Sequence, residues 1–142
     1  MGEKTDPKQL ANDLETALDL VARDALAATI AAGSVPGTAG IALTAPLREI
    51  AGDEFRDLES MAARIASLGG SPTVNIGPVK AFKDWRASVR ALVAMQREAL
   101  DAVVDAIPAD ADDAEGEATE HLLEHIVSRK RDAIELLERA LR

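Results

Sequence analysis

The sequence has 142 residues, a net charge of −9 and no cysteine. The negative charge disfavours nucleic-acid binding, because phosphate backbones are negative as well, and the lack of cysteine excludes disulfides, thiolate metal sites and a cysteine nucleophile. Hydrophobic residues make up 47% of the chain but aromatic residues only 2%, and a core of small aliphatic side chains favours packed helices over a sheet.

The length is that of a single domain, and we expect residues 1–142 to form one. The N-terminal residues, Met1 to Asp6, are polar and lack the apolar segment of a signal peptide. The longest apolar stretch, around Ala25 to Ala32, is too short to span a bilayer. We therefore expect a cytoplasmic protein that has no membrane partner.

The first predicted helix begins at Pro7, because Asp6 can cap it and proline suits the first helical position. Apolar residues recur from Leu10 onwards at spacings of three and four, which is typical of a helix with one buried face. Gly33 predicts its end. The segment Ser34–Gly40 contains a proline and two glycines and predicts a loop.

The second predicted helix begins near Thr44 and ends at Gly69–Gly70. The segment before it, Val35–Ala45, is unusually apolar for a connection. A connection of this kind either folds over the end of its own domain or forms a subunit interface, and the sequence leaves both open.

The third predicted helix runs from about Lys80 to Ile107. The acidic segment Asp110–Glu117 then leads into a fourth helix, whose apolar stripe begins at Leu123. Four long helices with apolar stripes predict an all-α fold, an antiparallel four-helix bundle.

Three of the apolar stripes carry one polar residue near the middle of the helix: Glu54, Gln96 and Lys130. On the first helix the middle position of the stripe is Ala17, and Asp24 follows further along. Polar groups in a core are costly unless they have partners, so we expect the three polar side chains to contact one another. The alternative is that Lys130 extends to water.

The segment Arg64–Thr73 reads R-I-A-S-L-G-G-S-P-T and resembles the end of the second helix in bacterioferritins, which read R-I-x-x-L-G-G-x-P. The stretch Leu122–Leu141 is similar to their last bundle helix. The resemblance implies a ferritin-like bundle with a long crossover between the second and third helices. The connection Gly69–Val79 is long enough for that crossover when it is extended.

Bacterioferritins hold two irons, with a Glu from each of the first and third helices and a Glu-x-x-His from each of the second and fourth. By resemblance, the pair of the second helix falls on Glu54 and Asp57, and the Glu of the third helix falls on Gln96. The pair of the fourth helix falls on Lys130 and Ala133. Only Glu54 keeps the family residue.

The Glu of the first helix falls on Ala17 by the same resemblance. An alanine offers no ligand, so the resemblance implies a degenerate di-iron site with no metal and no cofactor expected. Because Lys130 brings a positive charge into this site, we expect a core salt bridge between Glu54 and Lys130 in place of the metal.

These residues lead to a first hypothesis: a non-catalytic ferritin-like bundle, without ferroxidase activity, that is a homodimer or larger and acts as a scaffold or binds a protein partner. The alternative is an iron-binding protein for iron oxidation or storage, which would use Glu54, Asp57 and displaced ligands. The displaced ligands considered are Asp24, Glu98 and Glu124. A third hypothesis is a small-molecule binder that uses the space left by the metals.

His121 and His125 lie four residues apart on the fourth predicted helix, a spacing that suits a metal. Measured against the apolar stripe of that helix, both point away from the core. A solvated helix face is the main interpretation, and a surface or inter-subunit metal site is the alternative.

Overall fold

The computed structural model describes residues 6–109 and 112–142. Within these ranges the chain forms four α-helices and no strand, as the sequence predicts. The helices are α1 (Pro7–Ser34), α2 (Gly37–Ser67), α3 (Trp85–Ala106) and α4 (Ala114–Ala140). None of them combines the length and the hydropathy that a membrane-spanning helix needs.

Aspartate caps explain where three of the helices begin. Asp6 accepts a hydrogen bond from the Lys8 amide at the start of α1. Asp84 accepts one from the Ala87 amide and so starts α3 at Trp85, five residues later than the predicted start near Lys80. Asp113 caps α4 in the same way. The predicted acidic segment therefore ends inside α4, and its residues 110–111 lie outside the described residues.

The predicted loop between the first two helices is wrong. Only Val35 and Pro36 separate α1 from α2, so most of the apolar segment before Thr44 is already helical. Gly37 allows this tight turn because its φ is +79°, a conformation that residues with a side chain rarely adopt. Gly40 is needed as well, since a Cβ there would lie 1.9 Å from the Val35 carbonyl oxygen.

The helices pack in the order that a long crossover requires. α1 packs against α2 and α3, and α4 packs against α3 and more loosely against α2. The first halves of α2 and α3 share one core cluster and their second halves share another, so these two helices run parallel. The crossover from 68 to 84 returns along α1, where the Asn75 amide donates to Asp19.

The core consists of two apolar clusters at opposite ends of the bundle. One is built around Leu14, Met61 and Leu123, and the other around Ala28 and Leu47. A layer of buried polar and charged side chains lies at mid-length. That layer is the candidate site.

Candidate functional site

Lys130 is at the centre of the polar layer. Its side chain is only 1% exposed, although lysine is almost never fully buried without partners. The Nζ atom donates to Asp24 Oδ2 at 2.9 Å and to Gln96 Oε1 at 3.1 Å. Two of the three donors of the ammonium are therefore used inside the bundle.

Gln96 connects the ammonium to Glu54. Its amide oxygen accepts from Lys130, and its amide nitrogen donates to Glu54 Oε1. The second carboxylate oxygen, Glu54 Oε2, lies 3.8 Å from Lys130 Nζ, which is close enough for an ion pair. However, Glu54 Oε2 accepts no hydrogen bond from any described residue.

Burial controls the protonation of the two central carboxyl groups. It raises the pKa of Glu54 to about 7, although the Lys130 charge opposes the shift. Burial also raises the pKa of Asp24, against the attraction of Lys130 and Arg23. In both cases the loss of water outweighs the nearby positive charge.

Two arginines flank the central lysine. Arg23 contacts Asp24 Oδ1 at 3.3 Å and also donates to the Met95 carbonyl at 3.0 Å. Arg129 binds Asp57 through two nitrogens, and its Nε atom lies 3.1 Å from Asp57 Oδ2. The hydrogen bonds to Asp57 raise the pKa of Arg129, so its guanidinium group keeps its charge.

Each of the buried carboxylates Asp24, Glu54 and Asp57 lies near a cation of the same chain, and Asp24 and Glu54 share one. Asp24 and Glu54 face Lys130, Asp24 also contacts Arg23, and Asp57 binds Arg129. The charges of the layer thus compensate one another. The arrangement is a charge network formed within one chain, in which Glu54 Oε2 lacks a hydrogen bond.

The structure brings together four of the six positions taken from the resemblance: Glu54, Asp57, Gln96 and Lys130. The predicted Glu54–Lys130 ion pair is present, but Asp24 is the nearer partner of the lysine.

Ala17 is wrong as the member from the first helix. It packs in the apolar cluster with Leu14 and Met61, and Asp24, about two helical turns further along the same stripe, takes its place. Ala133 lies one turn beyond Lys130 and lines a cavity next to the network.

The other residues considered from the sequence lie outside the network. Glu98 is 62% exposed and pairs with Arg23, and Glu124 is exposed on α4. Sequence reasoning missed the roles of Arg23 and Arg129. The available signal was their position next to Asp24 and Lys130, two polar residues on otherwise apolar stripes.

His121 and His125 are exposed on α4, as their position relative to the stripe predicts. Their Nε2 atoms are 3.2 Å apart, and the rings meet edge to face. Among residues 6–109 and 112–142, no three His, Cys, Asp or Glu side chains form a group that could hold a metal ion.

A cavity of about 210 Å³ lies between α2 and α4 beside the network. Glu54, Asp57, Lys130 and Ala133 contribute to its inner wall. The small Ala133 side chain and the loose packing of α2 against α4 leave this space open.

Comparisons with known proteins describe the fold. The family model for a ferritin-like domain (Ferritin) matches residues 25–142. A search of curated proteins gives no match. The fold is similar to that of a ferritin-like diiron-carboxylate protein from Bacillus anthracis str. Ames, with a TM-score of 0.86 and 21% identity, over 99% of this chain and 100% of that one.

Two further structures are similar. A dodecameric thioferritin, the bacterioferritin-related protein from Bacteroides fragilis, gives a TM-score of 0.85 and 19% identity, over 97% of this chain and 87% of that one. The bacterioferritin BfrA from Mycobacterium tuberculosis gives a TM-score of 0.72 and 24% identity, over 99% of this chain and 87% of that one. At such identities the likeness concerns the fold alone.

Proposed function

The chain belongs to the ferritin-like domain family, and we propose that it is a non-catalytic member in which Lys130 takes the place of the di-iron centre. In this proposal the bundle acts as an assembling scaffold that binds a protein partner. The single observation that carries the proposal is the buried Lys130 ammonium, hydrogen-bonded to Asp24 and Gln96.

Ligand chemistry supports the proposal. Two iron ions need several anionic oxygens and imidazoles to hold them. A protonated lysine has no lone pair to offer, and Gln96 and Ala133 add neither charge nor imidazole. Asp24 and Asp57 are carboxylates, but each is already bound to a cation of the chain. The residues present therefore do not fit a di-iron centre.

Charge leads to the same conclusion. The network balances its carboxylates with Lys130, Arg23 and Arg129. Two divalent ions placed there would leave a large positive excess in a buried region, which is strongly unfavourable. An ammonium that is part of the chain supplies the counter-charge instead.

Exposed apolar residues on α2 and the crossover support assembly. Phe55 and Val74 are 41% and 44% exposed, and both line one depression together with Leu58 and Pro72. At the α1–α2 end, Ile41 is 79% exposed. The thioferritin of B. fragilis is dodecameric, and we propose that this chain also forms a dimer or a larger assembly.

The alternative is an iron-binding protein. It is favoured by the carboxyl groups of Asp24, Glu54 and Asp57, which remain at mid-bundle. For iron to bind there, Lys130 would have to lose its proton or leave the network. The two candidates therefore differ in a measurable way.

Iron loading tests the proposal. Protein carrying His121→Ala and His125→Ala, which removes the exposed imidazole pair, is incubated with ferrous iron without oxygen and then desalted. We expect less than one tightly bound iron per chain, and light scattering should show a mass above that of one chain. Two irons per chain, or a monomer, would contradict the proposal.

A further inference from the structure

The cavity between α2 and α4 has an inner end and an outer end of different character. At the inner end lie Glu54 and Lys130, and at the outer end lie the exposed carboxylates of Glu49 and Asp132. Ile50, Ala133 and Leu136 contribute an apolar part of the wall, and Asp53, Asp57 and Arg129 also line the cavity.

The inner end presents a buried acceptor that lacks a donor. Glu54 is 4% exposed, and its Oε2 atom accepts no hydrogen bond from any residue in the described ranges. Such an atom bears a cost of lost hydration that no hydrogen bond offsets, and the Lys130 charge 3.8 Å away offsets it only in part. A ligand with an N–H donor at this point would remove that cost.

The charge of the wall selects a cationic ligand. Lys130 hydrogen-bonds to Asp24 and forms only a longer ion pair of 3.8 Å with Glu54, and Arg129 is bound to Asp57. Five carboxylates and only two cations line the cavity, so its wall carries an excess of negative charge; the carboxylates are Glu49, Asp53, Glu54, Asp57 and Asp132, and the cations are Arg129 and Lys130.

We propose that this cavity binds a short aliphatic diammonium compound. One ammonium donates to Glu54 Oε2, the second lies between Glu49 and Asp132, and the alkyl chain contacts Ile50, Ala133 and Leu136. The apolar part of the wall suits the alkyl chain of such a ligand, and the buried and exposed carboxylates suit its two charges.

A divalent metal ion fits this cavity less well. Lys130 Nζ lies 3.8 Å from Glu54 Oε2, so an ion on that oxygen would be close to a fixed positive charge. The repulsion is twice as large for a divalent ion as for one ammonium. The apolar wall would also displace part of the hydration shell of the ion without offering ligands.

The inference rests on the proposed function, because an iron bound to Glu54 would occupy the same oxygen. It goes beyond that proposal by assigning a ligand class to the space beside the network.

Isothermal titration calorimetry with diaminobutane tests the inference on the full chain. Glu54→Gln removes the buried charge with little change of shape, and Ala133→Leu fills the cavity. Glu135→Gln is the matched control, since it removes one carboxylate from the exposed outer face of α4. Circular dichroism checks that each variant is folded. Butylamine and magnesium chloride serve as comparison ligands.

We expect saturable binding of one diaminobutane per chain. Glu54→Gln and Ala133→Leu should each weaken it on the order of tenfold or more, and Glu135→Gln should leave it unchanged. Butylamine, with one charge, should bind more weakly. No saturable binding, as expected if Glu54 contacts only water, would overturn the inference. The inference would also be overturned if Glu54→Gln and Ala133→Leu both left the affinity for diaminobutane unchanged. Binding of magnesium ions with the same affinity as diaminobutane would overturn it as well.

Parallel iron loading separates this inference from the proposed function. If iron is excluded and diaminobutane does not bind, only the ligand assignment is wrong. If diaminobutane binds to the iron-free protein and iron displaces it, the proposed function is wrong while the cavity still takes the diamine.

Discussion

Lys130 Nζ and Asp24 Oδ2 lie 2.9 Å apart at the centre of the bundle, and their side chains are 1% and 0% exposed. The two residues come from α4 and α1, which are far apart in the sequence. Their contact ties the last helix to the first at the level where the two apolar clusters meet.

Removing one member of this pair should destabilise the protein strongly. We expect Lys130→Met or Asp24→Leu to cost roughly 3–5 kcal/mol each, because each strands a buried charge, whereas the double variant should recover most of that loss. Urea denaturation of the four proteins gives the coupling energy. Purely additive effects would contradict a buried pair.

The exposed pair of Glu135 and Arg139 provides the control for this cycle. Its side chains are 69% and 68% exposed, with 3.3 Å between them. We expect a coupling below about 1 kcal/mol there. A cycle on Glu54 and Lys130 should give a value between the two, since these groups are 3.8 Å apart and do not hydrogen-bond.

Glu54 should make stability fall with rising pH. Its pKa is about 7 in the folded protein and 4.5 for an ordinary glutamate, so between these values the folded state keeps a proton that the unfolded state has lost. The stabilisation is complete below the lower value and is lost as pH rises through the higher one. The raised pKa of Asp24 acts in the same direction.

Urea denaturation at about pH 5 and about pH 8 measures this effect, and Glu54→Gln should reduce the difference between the two conditions. The same pH dependence in the wild-type protein and in the variant would show that Glu54 titrates normally.

Supplying iron ligands in place of Gln96, Lys130 and Ala133 should allow iron to bind. A variant with Gln96→Glu, Lys130→Glu and Ala133→His removes the internal cation and supplies two carboxylates and one imidazole beside Asp24, Glu54 and Asp57. We expect iron to bind in the bundle of this variant and to raise its thermal stability. Gln96→Glu alone keeps Lys130 and should bind none. If the triple variant and Gln96→Glu bound the same amount of iron per chain, Lys130 would not be what excludes the metal.

Assembly should depend on the exposed apolar residues. We expect Ile41→Asp with Phe55→Asp to lower the mass seen by light scattering while the helical content is kept. Val104→Asp is the control, because Val104 is 48% exposed on α3, away from both sites. Leu43 is unsuitable for this test, since it is 7% exposed and packs in the core of its own chain. Equal masses for both variants would argue against the interface.

The bundle could be predicted from the sequence because helix signals are local. Periodic apolar residues, the cap at Asp6 and the stop at Gly69 each act within a few residues, and the structure confirms the four helices. The turn at Val35–Pro36 could not be predicted in this way. It depends on the close approach of the Gly40 backbone to Val35. A glycine permits such a contact, but its presence in the sequence does not predict one.

The polar layer was predicted in part for a similar reason. Periodicity placed Glu54, Gln96 and Lys130 on buried stripes, and the structure joins them. Ala17 and Asp24 lie on the same stripe of α1, so periodicity cannot distinguish them. The choice depends on how far α1 is shifted along its axis against the other helices, which is a property of the packed bundle.

Lys130 is joined to the chain by covalent bonds, and this distinguishes it from any bound ion. The stability of a protein that binds a dissociable metal rises and falls with the free metal concentration, and chelators unfold some proteins of this kind. Here the central cation is synthesised with the polypeptide, in a ratio fixed by the gene. Every molecule acquires its counter-ion when it folds, in scarcity and in excess of metal alike.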